Sequence, residues 1–95
     1  MFRIESLDLQ DLGFMGQKSW SFLEEVYLSK NMVSNIEVFN NFPNLRIIDA
    51  SNNYIEEVHI YLPKLEVLNL MNNYLKKFPI LENMKKLRQL NLGSN

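Results

Sequence analysis

The 95-residue chain contains no cysteine and a single histidine, His59. From such a set neither a Cys–His nucleophile pair nor a zinc cluster can be assembled. Glycine is scarce, at three residues, and no Gly-rich phosphate loop is present. A formal net charge of −1 leaves no basic excess for sequence-independent nucleic-acid binding, so nucleic acid is not an expected partner. Long hydrophobic runs are missing too. The opening residues, Met-Phe-Arg-Ile-Glu-Ser-Leu-Asp, hold no apolar stretch able to act as a secretory signal. Nothing approaches the ~20 consecutive apolar residues of a membrane span, so no membrane association is expected.

What the chain does have is asparagine at positions 31, 53, 73 and 95, in one recurring frame. Writing Φ for an apolar residue, that frame is LxxΦxΦxxN. It reads Leu23-Glu-Glu-Val-Tyr-Leu-Ser-Lys-Asn31, then Leu45-Arg-Ile-Ile-Asp-Ala-Ser-Asn-Asn53. Leu65-Glu-Val-Leu-Asn-Leu-Met-Asn-Asn73 and Leu87-Arg-Gln-Leu-Asn-Leu-Gly-Ser-Asn95 repeat it. The pairs Val26/Leu28, Ile48/Ala50, Leu68/Leu70 and Leu90/Leu92 alternate with period two, as short strands require. Return segments between them are long enough for parallel pairing. Leading leucines 23, 45, 65 and 87 are expected to fill the same core from the turn before each strand. An asparagine amide carries donors and an acceptor, so a column of them can satisfy the backbone of successive turns.

The return segments have their own spacing. Val33, Ile36, Phe39 and Phe42 follow Asn31, and Leu75, Phe78, Leu81 and Met84 follow Asn73, each series spaced by three. That spacing suits a turn of 3₁₀ or irregular helix on the convex side. The middle return is two residues shorter, with Ile55, Val58, Ile60 and Leu62 ahead of Pro63. Pro43 and Pro63 mark the restart of the next unit.

Self-similarity at this period is the mark of leucine-rich repeats, and the pattern resembles their 22-residue intracellular class. That class is typified by the regulatory subunit of protein phosphatase 1 and by axonemal proteins. The resemblance covers residues 23–95. It implies an α/β fold: a right-handed solenoid with a parallel concave β-sheet and an irregular or 3₁₀ convex side. The chain reads as a single domain, 1–95, with full repeats at 23–44, 45–64 and 65–86 and a truncated repeat at 87–95. Residues 1–22 read as an atypical N-terminal capping repeat, with the frame Ile4-Glu-Ser-Leu7-Asp-Leu9-Gln-Asp-Leu12 and Trp20 as a core plug. Extracellular relatives commonly close their ends with disulfide-bonded caps. The absence of cysteine therefore points to a cytoplasmic setting, nuclear and axonemal ones included. Two readings of the open last strand compete: a longer solenoid continues from it, or a partner chain covers it.

Such an architecture builds a surface rather than a pocket, and neither catalysis nor a cofactor is expected. Glu24-Glu25 and Glu56-Glu57 lie more than a full repeat apart, and an open sheet offers no cleft to converge them. Lys76-Lys77 and Lys85-Lys86 read as a solvated face, and His59 as an exposed or satisfied structural residue. The concave columns run Ser6, Glu25, Ile47, Val67, Gln89; then Asp8, Tyr27, Asp49, Asn69, Asn91; then Gln10, Ser29, Ser51, Met71, Gly93. Ile47 and Val67 adjoin one another with Tyr27 and Met71 at the corners, which suits a protein contact; strand propensity alone would also place them there. Tyr27, Ile47, Asp49, Val67, Asn69 and Met71 are therefore the candidate partner-binding residues. Asp8, Glu25 and Asp49 beside them suit a polar or basic rim on the partner. A second candidate surface is Tyr54 and Tyr74, each directly after a ladder asparagine; surface filler is the competing reading. The function expected is a non-catalytic scaffold for protein–protein interaction. The alternative is a structural component of a ciliary or cytoskeletal assembly.

Overall fold

A computed structural model describes residues 2–3 and 21–95 of the chain. Five short strands form one parallel sheet in sequential order: β1 (Phe2–Arg3), β2 (Glu25–Tyr27), β3 (Ile47–Asp49), β4 (Val67–Asn69) and β5 (Gln89–Asn91). From β2 onward the register follows the repeat: Glu25 faces Ile47, Ile47 faces Val67, and Val67 faces Gln89. Central residues Val26, Ile48 and Leu68 point inward and are fully buried, while their neighbours are half-buried on the open face. The sheet, its order and its irregular returns make a small leucine-rich repeat solenoid. Among the described residues the one regular convex element is a 3₁₀-helix, Glu37–Asn41. The equivalent stretch after Asn73 is irregular.

The core runs continuously along the stack. Leu23, Leu45 and Leu65 are buried at their turn positions, below Phe39 and Phe42 from the first return and Ile60 and Leu62 from the second. Toward β5 the packing thins, and Leu87, Leu90 and Leu92 are only half-buried against the cluster.

Buried asparagines stitch the units together. Asn53 Nδ2 donates to the carbonyls of Ala50 (3.1 Å) and Ser51 (3.0 Å) in its own turn and to Leu28 (3.0 Å) in the turn before. Its Oδ1 accepts from the Val33 N–H at 3.0 Å. Asn73 repeats the arrangement with Leu70, Ala50 and the Ile55 N–H, and Asn95 with Leu92, Leu70 and the Leu75 N–H. The residue before each ladder asparagine takes a left-handed backbone: Lys30, Asn52, Asn72 and Ser94, at φ 56–60°. Asparagine tolerates that region better than most side chains, which accounts for the Asn-Asn pairs at 52–53 and 72–73.

Each unit restarts through a β-turn closed by one backbone bond: Leu45 N–H to Phe42 O, Leu65 N–H to Leu62 O, Leu87 N–H to Met84 O. Pro43 and Pro63 occupy the second position of the first two turns, where a fixed φ near −65° fits a type I turn. Their task is thus turn formation more than helix arrest.

Two expectations are corrected, and a third lies outside the described residues. The spacing of three fails at Phe78, which is not in the core but 72 % exposed, and Pro79 is buried in its stead. The equivalent Ile36 and Val58 are buried five residues after their asparagines, so the third return reaches the core one residue later. Second, β1 pairs Phe2 with Val26 and Arg3 with Tyr27, whereas Leu7 and Asp8 were expected opposite them. That pairing keeps an apolar residue opposite Val26 and a polar one opposite Tyr27, so period-two alternation holds at either register. Third, the proposed columns through Ser6, Asp8 and Gln10 and the cap at 1–22 with Trp20 fall outside the described residues, save for 2–3 and 21–22.

Asn53→Ala is expected to cost about 1–3 kcal/mol by leaving the buried Val33 N–H without its acceptor and stripping one bond from each of three buried carbonyls, whereas Asn95→Ala, at an exposed position, costs less; urea unfolding of the two variants checks the order. Lys85, the second residue of the third restart turn, is exposed. Lys85→Pro is expected to stabilise by about 0.4–1 kcal/mol, read as a higher urea midpoint with unchanged slope.

Candidate functional site

The open face of β2–β5 carries the candidate partner-binding residues. Ile47 and Val67 are direct partners in the β3–β4 register, both half-buried. Tyr27 lies diagonal to Ile47 on β2 and opposite Asp49. Its hydroxyl donates to Glu25 Oε1 at 2.7 Å, which holds the ring back along its own strand. These four residues, with Asn69 opposite Asp49, form one continuous patch.

Met71 does not join Ile47 and Val67. It lies four residues beyond Val67 on the same unit, roughly 13 Å along an extended chain. It packs instead toward the next unit, where Asn91 Nδ2 approaches its sulfur at 3.8 Å. A Cβ added at Gly93 would meet the Met71 side chain at an ordinary contact distance of 3.6 Å, so Met71 lies against the Gly93 backbone.

Asp49 and Asn69 turn out to have local work as well. Asp49 Oδ1 accepts from the Ser51 N–H (3.1 Å) and hydroxyl (2.7 Å). Asn69 Oδ1 accepts from the Met71 N–H at 3.1 Å, and Asn91 Oδ1 from the Gly93 N–H at 2.9 Å. These are Asx-type bonds that bend the chain out of each strand. One oxygen of each side chain is thereby committed to the turn.

A charge ladder along one flank was not anticipated from the sequence. Glu24, Arg46, Glu66 and Arg88 each follow a leading leucine and alternate in sign from unit to unit. Arg46 meets Glu66 at 2.7 Å and Glu24 at 3.5 Å, and Arg88 meets Glu66 at 3.2 Å. Hydrogen bonds from Arg46 and Arg88 hold the Glu66 carboxyl below its ordinary value, and the same contact with Glu66 raises Arg46. Reading the residue after each leading leucine as a column would have shown the alternation. On the convex side Lys76 pairs with Glu56 at 2.7 Å, and exposed His59 pairs with Glu57 at 3.1 Å. The His59 contact, then Lys77 and Lys76, lowers the Glu57 carboxyl.

The second candidate surface lies where the chain leaves the sheet. Tyr54 and Tyr74 are 47 % and 59 % exposed, with ring centroids 5.6 Å apart and planes tilted by 51°. Among the described residues no group of three metal-ligating side chains is found, and no helix is long and apolar enough to cross a membrane.

Repeating parallel strands joined by a ladder of asparagines define the class: a repeat solenoid of the kind that generally serves as a protein-binding module. Family comparison makes the assignment specific. The family model described as Leucine Rich repeats (2 copies) matches residues 21–61 and 63–95, and the chain belongs to the leucine-rich repeat family. Searches of curated proteins and of solved structures found no match.

Protonation of Glu66, which breaks its ion pairs with Arg46 and Arg88, should make stability pH-dependent. Because the folded-state pKa is depressed below the ordinary 4.5, the stabilisation is present above about pH 4.5 and is lost as pH falls through the lower folded value. Thermal unfolding between neutral and acid pH is expected to fall less steeply for Glu66→Gln than for the parent in that window.

Proposed function

We propose that the protein is a non-catalytic scaffold that binds a partner protein through the concave sheet face, with Tyr27, Ile47, Asp49, Val67, Asn69 and Met71 as contact residues. The observation that carries this reading is the direct pairing of Ile47 with Val67 on the open side of the sheet. Folding does not require aliphatic side chains there, since the opposite face of the same strands already supplies the core. Tyr27 and Asp49 border the aliphatic pair on one side, so the patch has an apolar centre and a polar margin, the usual anatomy of a protein interface. Met71 extends the surface as a separate soft contact toward β5. Tyr54 and Tyr74 form a secondary contact surface on the neighbouring rim. Residues 1–95 act as one domain in this reading, with repeats at 23–44, 45–64 and 65–86, a partial repeat at 87–95 and a cap at 1–22.

An alternative use, as a structural part of a ciliary or cytoskeletal assembly, would bury several faces at once. The exposed Phe78 and Ile80 on the convex side favour that alternative, because a single concave contact leaves them bare. The two readings separate by mutation. A photo-crosslinking residue at position 89, beside Val67, should capture a discrete partner, whose affinity is then measured by calorimetry. For the scaffold, Ile47→Asp or Val67→Asp weakens that complex at least about tenfold with unchanged circular dichroism, and changes at Phe78 or Tyr61 do not matter. Equal losses from convex substitutions would favour the assembly, and unimpaired binding by both aspartate variants would overturn the concave site.

A further inference from the structure

We propose that the rim beside the sheet binds an extended proline-rich segment in the polyproline II conformation, with an acidic end of that segment toward Lys30. The proposal rests on the reading of Tyr54 and Tyr74 as a contact surface and is independent of the concave patch. An open groove of about 390 Å³ runs there across three successive units. One wall is the column Met32, Tyr54, Tyr74; the other is the column Lys30, Asn52, Asn72.

The backbone that carries the aromatic wall is fixed. Tyr54 N–H donates to Val33 O and Tyr74 N–H to Ile55 O, both at 2.9 Å, and each tyrosine directly follows a buried ladder asparagine. Little backbone freedom remains to be lost on binding, which favours affinity. Ring faces of this kind are what proline-rich ligands pack against.

Hydrogen-bonding capacity points to the same ligand. Asn72 Nδ2 donates to Asn52 Oδ1 at 2.9 Å, which fixes the amide column. Among the described residues the Asn52 side-chain amide and the Tyr54 and Tyr74 hydroxyls donate to no acceptor, and Lys30 makes no ion pair. The groove thus offers a surplus of donors. A polyproline II segment has solvated carbonyls and, at each proline, no N–H, so it brings acceptors and few competing donors. An extended β-peptide would bring a donor at every residue.

Spacing adds a third argument. Three residues of polyproline II advance about 9.3 Å, close to the roughly 9.6 Å between alternate strands of a sheet. A ligand along the rim would therefore meet the same column on every second unit without slipping out of phase. The two-residue repeat of a β-strand, about 6.8 Å, does not match. Charge sets the direction: Lys76 at the far end is already held by Glu56 at 2.7 Å, so the cation seeking a carboxylate is Lys30.

The test is an amide-resolved NMR titration of the ¹⁵N-labelled protein with decaproline carrying two aspartates at one end. Saturable shifts of the Asn52 and Asn72 side-chain amides and of the Tyr54 and Tyr74 backbone amides are expected. Tyr74→Ala should weaken binding at least about tenfold, Lys30→Gln should weaken it and flatten its salt dependence, and Ile47→Asp should leave it unchanged. A glycine–serine peptide with the same two aspartates should not bind. The proposal is overturned by absence of saturable shifts at low-millimolar peptide, by equal binding of the glycine–serine peptide, or by binding that survives the Tyr54→Ala, Tyr74→Ala double variant. Shifts produced by chito-oligosaccharide and not by decaproline would likewise overturn it, assigning the rings to sugar stacking. If a photo-crosslinker at position 74 captures a protein while decaproline fails, the rim remains a contact surface and only the ligand class is lost.

Discussion

Everything in this structure depends on a side-chain amide bonded to two turns at once. Asn53 and Asn73 each satisfy carbonyls of their own turn, a carbonyl of the preceding turn and an N–H further along the preceding return. Without that amide, a chain that leaves a buried strand and doubles back would strand polar groups in an apolar interior. The left-handed residue just before each asparagine sets the turn that delivers the amide to its partners. Packing then does the rest: once turns are stacked, the inward strand residues and leading leucines meet in one core.

Around that core the surfaces divide by function. Asx-type bonds at Asp49, Asn69 and Asn91 steer each strand into its turn, and the alternating Glu24, Arg46, Glu66 and Arg88 fasten neighbouring units along one flank. Exposed ion pairs of this sort contribute little individually, so their value lies in register: a slip by one unit would set like charges side by side. The side chains with no folding task are Ile47 and Val67 on the sheet, Tyr54 and Tyr74 on the rim, and Phe78 and Ile80 on the convex side. The first two groups carry the proposed contacts.

Much of this was legible in the sequence, for a physical reason. A strand of three residues has only one inward position, so Val26, Ile48 and Leu68 had to be apolar, and the asparagine had to follow at a fixed distance. Strand register from β2 to β5, and hence the adjacency of Ile47 and Val67, follows from that rigidity. Legibility fails where spacing alone is degenerate. Phe78 had the right offset for the core, but Pro79 could fill the site one residue later, and nothing in an apolar pattern ranks the two. Opposite Val26, alternation fits Phe2 as well as Leu7. Asp49 and Asn69 read as free contact residues because an Asx bond to the residue two ahead leaves no trace in composition. The charge column was there to be seen, but only by lining up polar positions across units, where strand patterns direct attention to the apolar ones.

The ladder is also directional. Asn53 and Asn73 reach back to the turn before them, so the Val33 and Ile55 N–H groups find their acceptors, and the Leu28 and Ala50 carbonyls a second donor, 18–25 positions later in the chain. A ribosome makes the chain in that same direction. Each of these turns therefore emerges with its carbonyl bonded only to its own asparagine and one N–H still open, and that N–H is closed only when the next unit has been synthesised. Folding during translation must trail synthesis by about one repeat, and the unit most recently made is always the one still waiting for its amide.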